Sequence, residues 1–228
     1  MTGQSPVTSD DLRGAATLVA GSIRRLDADL WEKLAYGLEW TRSHTVAHIA
    51  DALDFYSGDL ASQTQENPGS AGLHYREGSV DAAAGQIEFS AGVLALVAEA
   101  TPKGVRAFHP SGMVDAEGFL GMGCVETLLH GYDAVAGTEA EFDPDDELCK
   151  RILGRLFPWA PQDTSDWLTL LWATGRGELE GQDFLGESWR WYVDLLSEWE
   201  GNILRKQQSL GADTFSDNLL SVRREMNS

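Results

Sequence analysis

Four long segments of the chain repeat apolar residues every three or four positions, the spacing that places them on one face of an α-helix. These segments are residues 10–26, 41–62, 79–100 and 116–136. Helices of this length bury their apolar faces by packing against one another. The pattern therefore predicts an all-α protein whose main body, residues 1–140, is a four-helix bundle.

The ends of these segments carry residues that typically start or stop a helix. Ser9 or Asp10 is the expected N-cap of the first helix, and Ser79 or Asp81 is that of the third. Their short polar side chains accept hydrogen bonds from the first backbone N–H groups of a helix. Gly137 is expected to end the fourth helix, because glycine readily adopts the left-handed conformation that closes many helices.

The acidic, proline-containing residues 139–147 separate the bundle from a short helical C-terminal extension, residues 141–228. Within the extension, periodicity predicts shorter helices near residues 145–157, 163–174 and 189–206. The glycine-rich residues between the last two are expected to hold a turn or a short hairpin. Prolines and glycines predict loops at residues 64–78 and 109–112.

Aromatic side chains are concentrated in the extension, from Phe157 to Trp199. Aromatic residues at such close spacing typically dock short helices onto a bundle. A role in lining a substrate site, or in contacts of a homodimer, stays open.

Composition excludes several classes of partner. The formal net charge is −19 at pH 7, and a surface this acidic repels nucleic-acid phosphates and anionic lipid, so we expect neither partner. The first residues do not resemble a secretory signal, and the longest apolar runs, such as residues 93–98, are too short to span a bilayer. Only two cysteines are present, which favours a reduced, cytoplasmic protein over a disulfide framework.

The fourth segment contains the most informative polar residues, Glu126 and His130. It is apolar nearly all round, so its helix is expected to be central and these two side chains buried. Glu and His four residues apart point the same way, as two ligands of one metal ion would. Acidic residues are so common in this chain that spacing alone leaves a core Glu–His hydrogen bond or a surface pair open.

The second segment contains His44 and His48, also four residues apart. His48 lies beside the apolar stripe of its helix, so it can border the space between helices. His44 falls in the first helical turn and is expected to be a surface residue. Spacing cannot decide which residues of two distant helices meet.

Two motifs make the chain similar to a known family. Residues 40–51, WTRSHTVAHIAD, resemble the W-x-x-x-H-x-x-x-H-x-A element of DinB-like proteins, and residues 123–133, GCVETLLHGYD, resemble their E-x-x-x-H-x-x-D element. The order and separation of the two elements also fit. The resemblance covers about residues 9–137 and is closest to the N-terminal domain group of mycothiol-dependent maleylpyruvate isomerases.

The resemblance implies a DinB-like bundle that holds a divalent metal, typically zinc, through His48, Glu126 and His130. Nickel, iron or manganese suits two histidines and one carboxylate as well. The implied partners are mycothiol or another low-molecular-weight thiol and a small electrophilic substrate, in a transferase or isomerase reaction. A non-catalytic metal-binding or small-ligand-binding protein is the first alternative, and a helical interaction module with a purely structural Glu126–His130 pair is the second.

Two further residues have open roles. Asp133 could orient His130 by accepting a hydrogen bond from it, or could be a solvent-facing acid. The extension is shorter than the C-terminal domain of the full isomerases, but its segment TLLWATGR resembles a T-G-R element of some relatives. Arg176 is therefore a candidate catalytic residue that clamps an anion, with an ordinary surface arginine as the alternative.

Overall fold

The computed structural model describes residues 5–66 and 78–201, and its chain is mostly helical, as predicted. The four long helices are α1 (Ser9–Ile23), α2 (Arg42–Ser62), α3 (Val80–Ala100) and α4 (Ala116–Val135). Two shorter helices follow, α5 (Asp146–Leu156) and α6 (Asp166–Ala173). A two-stranded sheet, β1 (Arg106–His109) and β2 (Gly112–Asp115), lies between α3 and α4.

Helix α4 lies at the centre of the bundle. A Cβ atom on Gly123 would lie 3.0 Å from the side chain of Leu94 on α3, 3.1 Å from Leu53 on α2 and 3.3 Å from Leu12 on α1. Glycine at this position lets the other three helices approach α4 closely. The prediction of a central fourth helix is confirmed.

The helix ends agree with the predicted bounds to within a few residues. The first N-cap is Thr8 rather than Ser9 or Asp10, because Thr8 and Asp11 form a reciprocal capping box one residue earlier. Ser79 caps α3 as predicted, and its hydroxyl accepts the N–H of Ala82.

The loop predicted at residues 109–112 is the tip of the hairpin. Residues 110 and 111 form the turn, His109 is the last residue of β1 and Gly112 is the first of β2. The strands pair antiparallel, with Arg106 opposite Asp115 and His109 opposite Gly112. Strands of four residues are too short for a clear alternation of apolar and polar residues, which is why the sequence did not reveal them. Of the loop predicted at 64–78, residues 67–77 lie outside the described part of the chain.

In the extension, α5 and α6 confirm two of the three predicted helices. The helix predicted near residues 189–206 is wrong over residues 189–201, where the backbone forms only a short 3-10 turn, Leu196–Glu198; the rest of that range is not described. The N–H of Tyr192 donates to the carbonyl of Leu156 at 2.7 Å, so this residue bonds to α5 rather than to a helix of its own segment. Residues 175–190 form turns and a 3-10 segment, Gly186–Ser188, and no strand.

The extension packs on the bundle through one continuous apolar core that includes buried residues of both parts, such as Phe119 of α4 and Leu156 of α5. The guanidinium of Arg155 adds polar contacts, because it pairs with Asp115 at the start of α4 and donates to the carbonyl of Val193.

By length and composition α3 is long and apolar enough to cross a membrane, and it is the one such helix among the described residues.

Candidate metal centre

His48, Glu126 and His130 meet between α2 and α4. Glu126 and His130 are one helical turn apart on α4 and face His48 across the helix interface. Their side chains are only 13% to 16% exposed. The structure therefore brings together the three residues that the resemblance implied as ligands.

The distances within this group fit ligands of a metal better than a hydrogen-bonded cluster. Oε2 of Glu126 lies 3.6 Å from Nε2 of His48 and 3.3 Å from Nε2 of His130. Charge-assisted hydrogen bonds of this kind are shorter, about 2.7–2.9 Å. Bonds of about 2.1 Å at tetrahedral angles would separate two ligand atoms by about 3.4 Å. The donor set thus fits a divalent ion such as zinc, with three protein ligands.

Neighbouring charged groups shift the pKa values of Glu126 and His130. Burial alone would raise the pKa of Glu126, but its contacts with His130 and His48 outweigh burial and hold that pKa well below its usual range. Burial lowers the pKa of His130, yet Asp133 and Glu126 reverse the effect and raise it. The site therefore keeps an ionised carboxylate at neutral pH, as a metal ligand requires.

Tyr56 fixes the other oxygen of Glu126. The phenolic O–H of this buried residue donates to Oε1 at 3.2 Å. Burial and the neighbouring carboxylate raise the pKa of Tyr56 well above its usual value, so the phenol keeps its proton. Oε1 is thus engaged by Tyr56, while Oε2 is the oxygen that pairs with the two histidines. In the sequence Tyr56 is part of the apolar stripe of α2, and nothing there reveals this contact.

Asp133 contacts Nδ1 of His130, the ring nitrogen that does not pair with Glu126. Its Oδ2 lies 3.1 Å from Nδ1 of His130, although the N–H is not aimed well at that oxygen, and the Asp133 side chain is only 3% exposed. Burial would raise the pKa of Asp133, but His130 and Arg176 lower it. A proton on Nδ1 leaves the lone pair of Nε2 for a metal, which is the usual arrangement of a histidine ligand.

Arg176 is bound to Asp133 and is not an ordinary surface arginine. Its Nε donates to Oδ1 at 3.1 Å and its Nη2 to Oδ2 at 2.9 Å. The turn before Arg176 is formed by Gly175, which has φ +70°. This position requires glycine, because a Cβ atom there would lie 1.9 Å from the carbonyl oxygen of Gly186. The sequence singled out both Asp133 and Arg176 but could not pair them.

Trp40 covers one side of the group. Its ring centroid lies 5.2 Å from that of His48 and 6.3 Å from that of His130. His44 packs against the same indole at 4.7 Å, and it is half-buried rather than exposed as predicted. His44 is not one of the described residues whose side-chain atoms lie close enough together to bind one metal ion. The choice of His48 over His44 therefore agrees with the geometry.

The helical bundle agrees with the fold that the sequence motifs predicted, and it brings together the two histidines and the glutamate of those motifs. No family model matches the sequence, and no curated protein matches it significantly. Two solved structures share the fold, the mycothiol-dependent maleylpyruvate isomerase and a histidine-to-alanine mutant of it. The TM-scores are 0.54 and 0.55 at 19% identity, over 74% of this chain and 88% of each isomerase chain.

The covered share of this chain is larger than residues 1–140 alone could supply, so the similarity continues into the extension. At this identity, the similarity establishes the fold. The chemistry has to be argued from the side chains of this chain.

Proposed function

We propose that this protein is a divalent-metal-dependent enzyme, with zinc as the first candidate, that uses mycothiol or a related thiol to act on a small electrophile as a transferase or isomerase. The observation that carries the proposal is the group of His48, Glu126 and His130, spaced as ligands on a fold shared with a mycothiol-dependent isomerase. Three protein ligands are typical of a catalytic rather than a structural zinc site, because one position stays open.

Each neighbouring side chain would have a defined task in such a site. Tyr56 holds Glu126 to one ligand oxygen, and Asp133 favours the tautomer of His130 that offers Nε2. A divalent ion in this group would favour the thiolate form of an incoming thiol. The protein residues then need only orient that sulfur and the substrate.

The chain's own cysteines support the need for an external thiol. Cys124 and Cys149 are both buried. Burial raises the pKa of Cys149 to about 12, and it raises that of Cys124 as well. Neither cysteine supplies a thiolate at neutral pH, so thiol chemistry in this protein requires a free thiol such as mycothiol. We propose a cytoplasmic location for the same reason, because free thiols and buried unpaired cysteines persist there.

Arg176 could also meet an anionic substrate. Its Nε and Nη2 are held by Asp133, whereas Nη1 has, among residues 5–66 and 78–201, a single long contact of 3.4 Å to the carbonyl of Thr174. We therefore propose a shared role, in which Arg176 remains on Asp133 and offers Nη1 to a substrate carboxylate.

The test uses tag-free protein, purified without chelators. The proposal expects about one divalent metal per chain by elemental analysis, and metal-dependent turnover of an electrophile such as maleylpyruvate only when mycothiol is present. A protein with full metal content that turns over no electrophile with any thiol would instead be a non-catalytic binding protein. The absence of bound metal after zinc addition would leave only a structural Glu126–His130 pair.

A further inference from the structure

Helix α3 has an apolar row on its outer face, which we call the exposed stripe. Its members follow intervals of four, three and four residues: Phe89, Val93, Leu96 and Ala100. Phe89 is 65% exposed and Leu96 62%, the two highest values among the large hydrophobic side chains of the described residues. Single exposed apolar residues are ordinary, but a row of them along one helix is typical of a contact surface.

The exposed stripe lies on the side of α3 that faces away from the bundle. The opposite side carries the buried residues of the helix, such as Leu94. A Cβ atom on Gly85 or Gly92 would meet no other atom within 4 Å, so the space on the outer side of α3 is open. Among residues 5–66 and 78–201, no segment covers the centre of this face.

The charge of α3 indicates what kind of segment could bind there. Between Val80 and Ala100 the helix contains Asp81, Glu88 and Glu99, and neither lysine nor arginine. The Asp81 side chain is 87% exposed, and its ion pair with Arg24 is long, at 3.9 Å. A segment that carries an apolar row beside positive charges would therefore complement this face.

The chain itself contains such a segment beyond Gly201, where the described part ends. Four of its apolar residues repeat the intervals of the exposed stripe, four, three and four residues: Phe215, Leu219, Val222 and Met226. Arg223 and Arg224 directly follow one of them. Residues 202–228 contain four basic and three acidic residues, in a chain whose net charge is −19. The C-terminal segment, residues 213–228, thus combines the spacing and the charge that the face of α3 requires.

The described chain also ends close enough for this segment to reach α3. Nη1 of Arg106 on β1 lies 2.9 Å from Oε2 of Glu198, so the chain passes beside the strand that follows α3. The six residues from Ala100 to Arg106 span at most about 20 Å. The 14 residues that lead from Gly201 to Phe215 can extend to about 45 Å. The near end of the exposed stripe is therefore well within reach.

We propose that the C-terminal segment binds the exposed stripe of α3 in the same molecule, as an amphipathic helix that runs antiparallel to α3. The shorter path from Gly201, to the Ala100 end of the stripe, sets this direction. The equal intervals of the two apolar rows then place Leu219 opposite Leu96. Helices that bind a groove or face in this way use anchors at such three-and-four spacing. This contact is independent of the proposed metal and thiol chemistry.

The antiparallel direction also agrees with the charges. It places Arg223 and Arg224 at the half of α3 that contains two of its three acidic residues, Asp81 and Glu88. In the parallel direction the two arginines would meet the half with Glu99 alone. Opposite charges at the edge of an apolar contact mainly fix its orientation, while the apolar side chains supply most of the affinity.

The test measures how accessible position 96 is in the full-length chain. Leu96→Cys places a thiol in the middle of the exposed stripe, while the two natural cysteines are buried. We expect this thiol to react with an aromatic disulfide reagent about tenfold faster when Leu219→Asp and Val222→Asp open the contact. Leu168→Cys is the matched control, because it replaces a leucine of α6 that is 52% exposed. Its rate should not depend on the two substitutions in the C-terminal segment.

A milder variant and a crosslink complete the test. Arg223→Gln with Arg224→Gln should accelerate the Leu96→Cys thiol by a smaller factor. Leu96→Cys with Leu219→Cys should oxidise to a disulfide within one chain, seen by mass spectrometry, whereas Leu168→Cys with Leu219→Cys should not.

Two results would overturn the inference. One is a Leu96→Cys thiol whose rate stays the same in all variants of the C-terminal segment. The other is a disulfide between two chains, together with a dimer in light scattering that the Leu96→Cys substitution weakens, because the exposed stripe would then bind a second copy.

Discussion

Arg176 and Asp133 form a bidentate ion pair that joins the C-terminal extension to the helix carrying two of the candidate ligands. Nε and Nη2 of the arginine lie 3.1 and 2.9 Å from the two carboxylate oxygens. The same carboxylate lies 3.1 Å from Nδ1 of His130. The extension thus contacts the candidate metal centre through one buried aspartate.

This pair predicts a measurable coupling in stability. Arg176→Ala leaves the Asp133 carboxylate, 3% exposed, without its main cation, and should lower the free energy of unfolding of the metal-free protein by about 3 kcal/mol. In Asp133→Asn, loss of Arg176 should cost much less, because no buried charge is left. Urea unfolding of the four proteins of this cycle measures the coupling; additive effects of the two substitutions would contradict a direct interaction.

The ligand assignment predicts the metal content of three single variants. His48→Ala and His130→Ala should each lose most of the bound metal, since two remaining donors hold the ion too weakly. His44→Ala is the matched control. It removes a histidine that lies on the same helix as His48 and packs on the same indole, but that is not part of the candidate ligand group. Elemental analysis decides, and full metal in both ligand variants, or a large loss in His44→Ala, would refute the assignment.

How much of this site could be predicted from the sequence depends on the range of each contact. Helix bounds and the Glu126–His130 pair follow from local periodicity and spacing. The pairing of α4 with His48 does not, because spacing along one helix carries no information about its neighbour, and only the resemblance supplied it. The contact of Tyr56 with Glu126 was missed for the same reason: it joins residues of different elements.

The wrong helix prediction over residues 189–201 has a similar physical origin. Aromatic residues there have near-helical spacing, yet the carbonyl of Leu156 takes the N–H of Tyr192, and Arg155 binds the carbonyl of Val193. Tertiary hydrogen bonds of this kind override local periodicity and cannot be deduced from the segment itself.

The hydrogen bond from Tyr56 to Glu126 predicts that removing it changes how Glu126 coordinates the metal. Tyr56→Phe removes the hydrogen bond to Oε1 of Glu126 and should weaken metal binding about tenfold, as loss of such supporting contacts typically does. The freed oxygen can then approach the ion, so the visible spectrum of the cobalt protein should shift toward a higher coordination number. Tyr36→Phe, at an exposed tyrosine, is the control and should change neither property. An unchanged affinity and spectrum in Tyr56→Phe would mean that the phenol does not hold Glu126.

The raised pKa of His130 predicts how metal affinity depends on pH. Metal binding requires His130 to lose the proton that its neighbours favour, so apparent affinity should begin to fall, as pH decreases, above the usual histidine value of about 6.5. Asp133→Asn removes one cause of the raised pKa, so the midpoint should move to lower pH, while the limiting affinity at high pH should fall. Competition titrations with a chromogenic chelator give both quantities. A midpoint that stays the same in Asp133→Asn would show that this carboxylate does not act on His130.

The open coordination position predicts direct binding of a thiol to the metal. With His48, Glu126 and His130 as the three protein ligands, cobalt in place of zinc should give a thiolate-to-metal charge-transfer band when mycothiol is added. Its pH midpoint should lie below the usual thiol pKa of about 8.5, because the metal and the proton compete for one sulfur lone pair. Glu126→Gln should weaken metal binding and lower this midpoint further, since a neutral ligand leaves more positive charge on the ion. A fully loaded site that shows no thiol band at any pH would leave the bundle and its ligands intact, but it would rule out thiol activation and favour a binding protein.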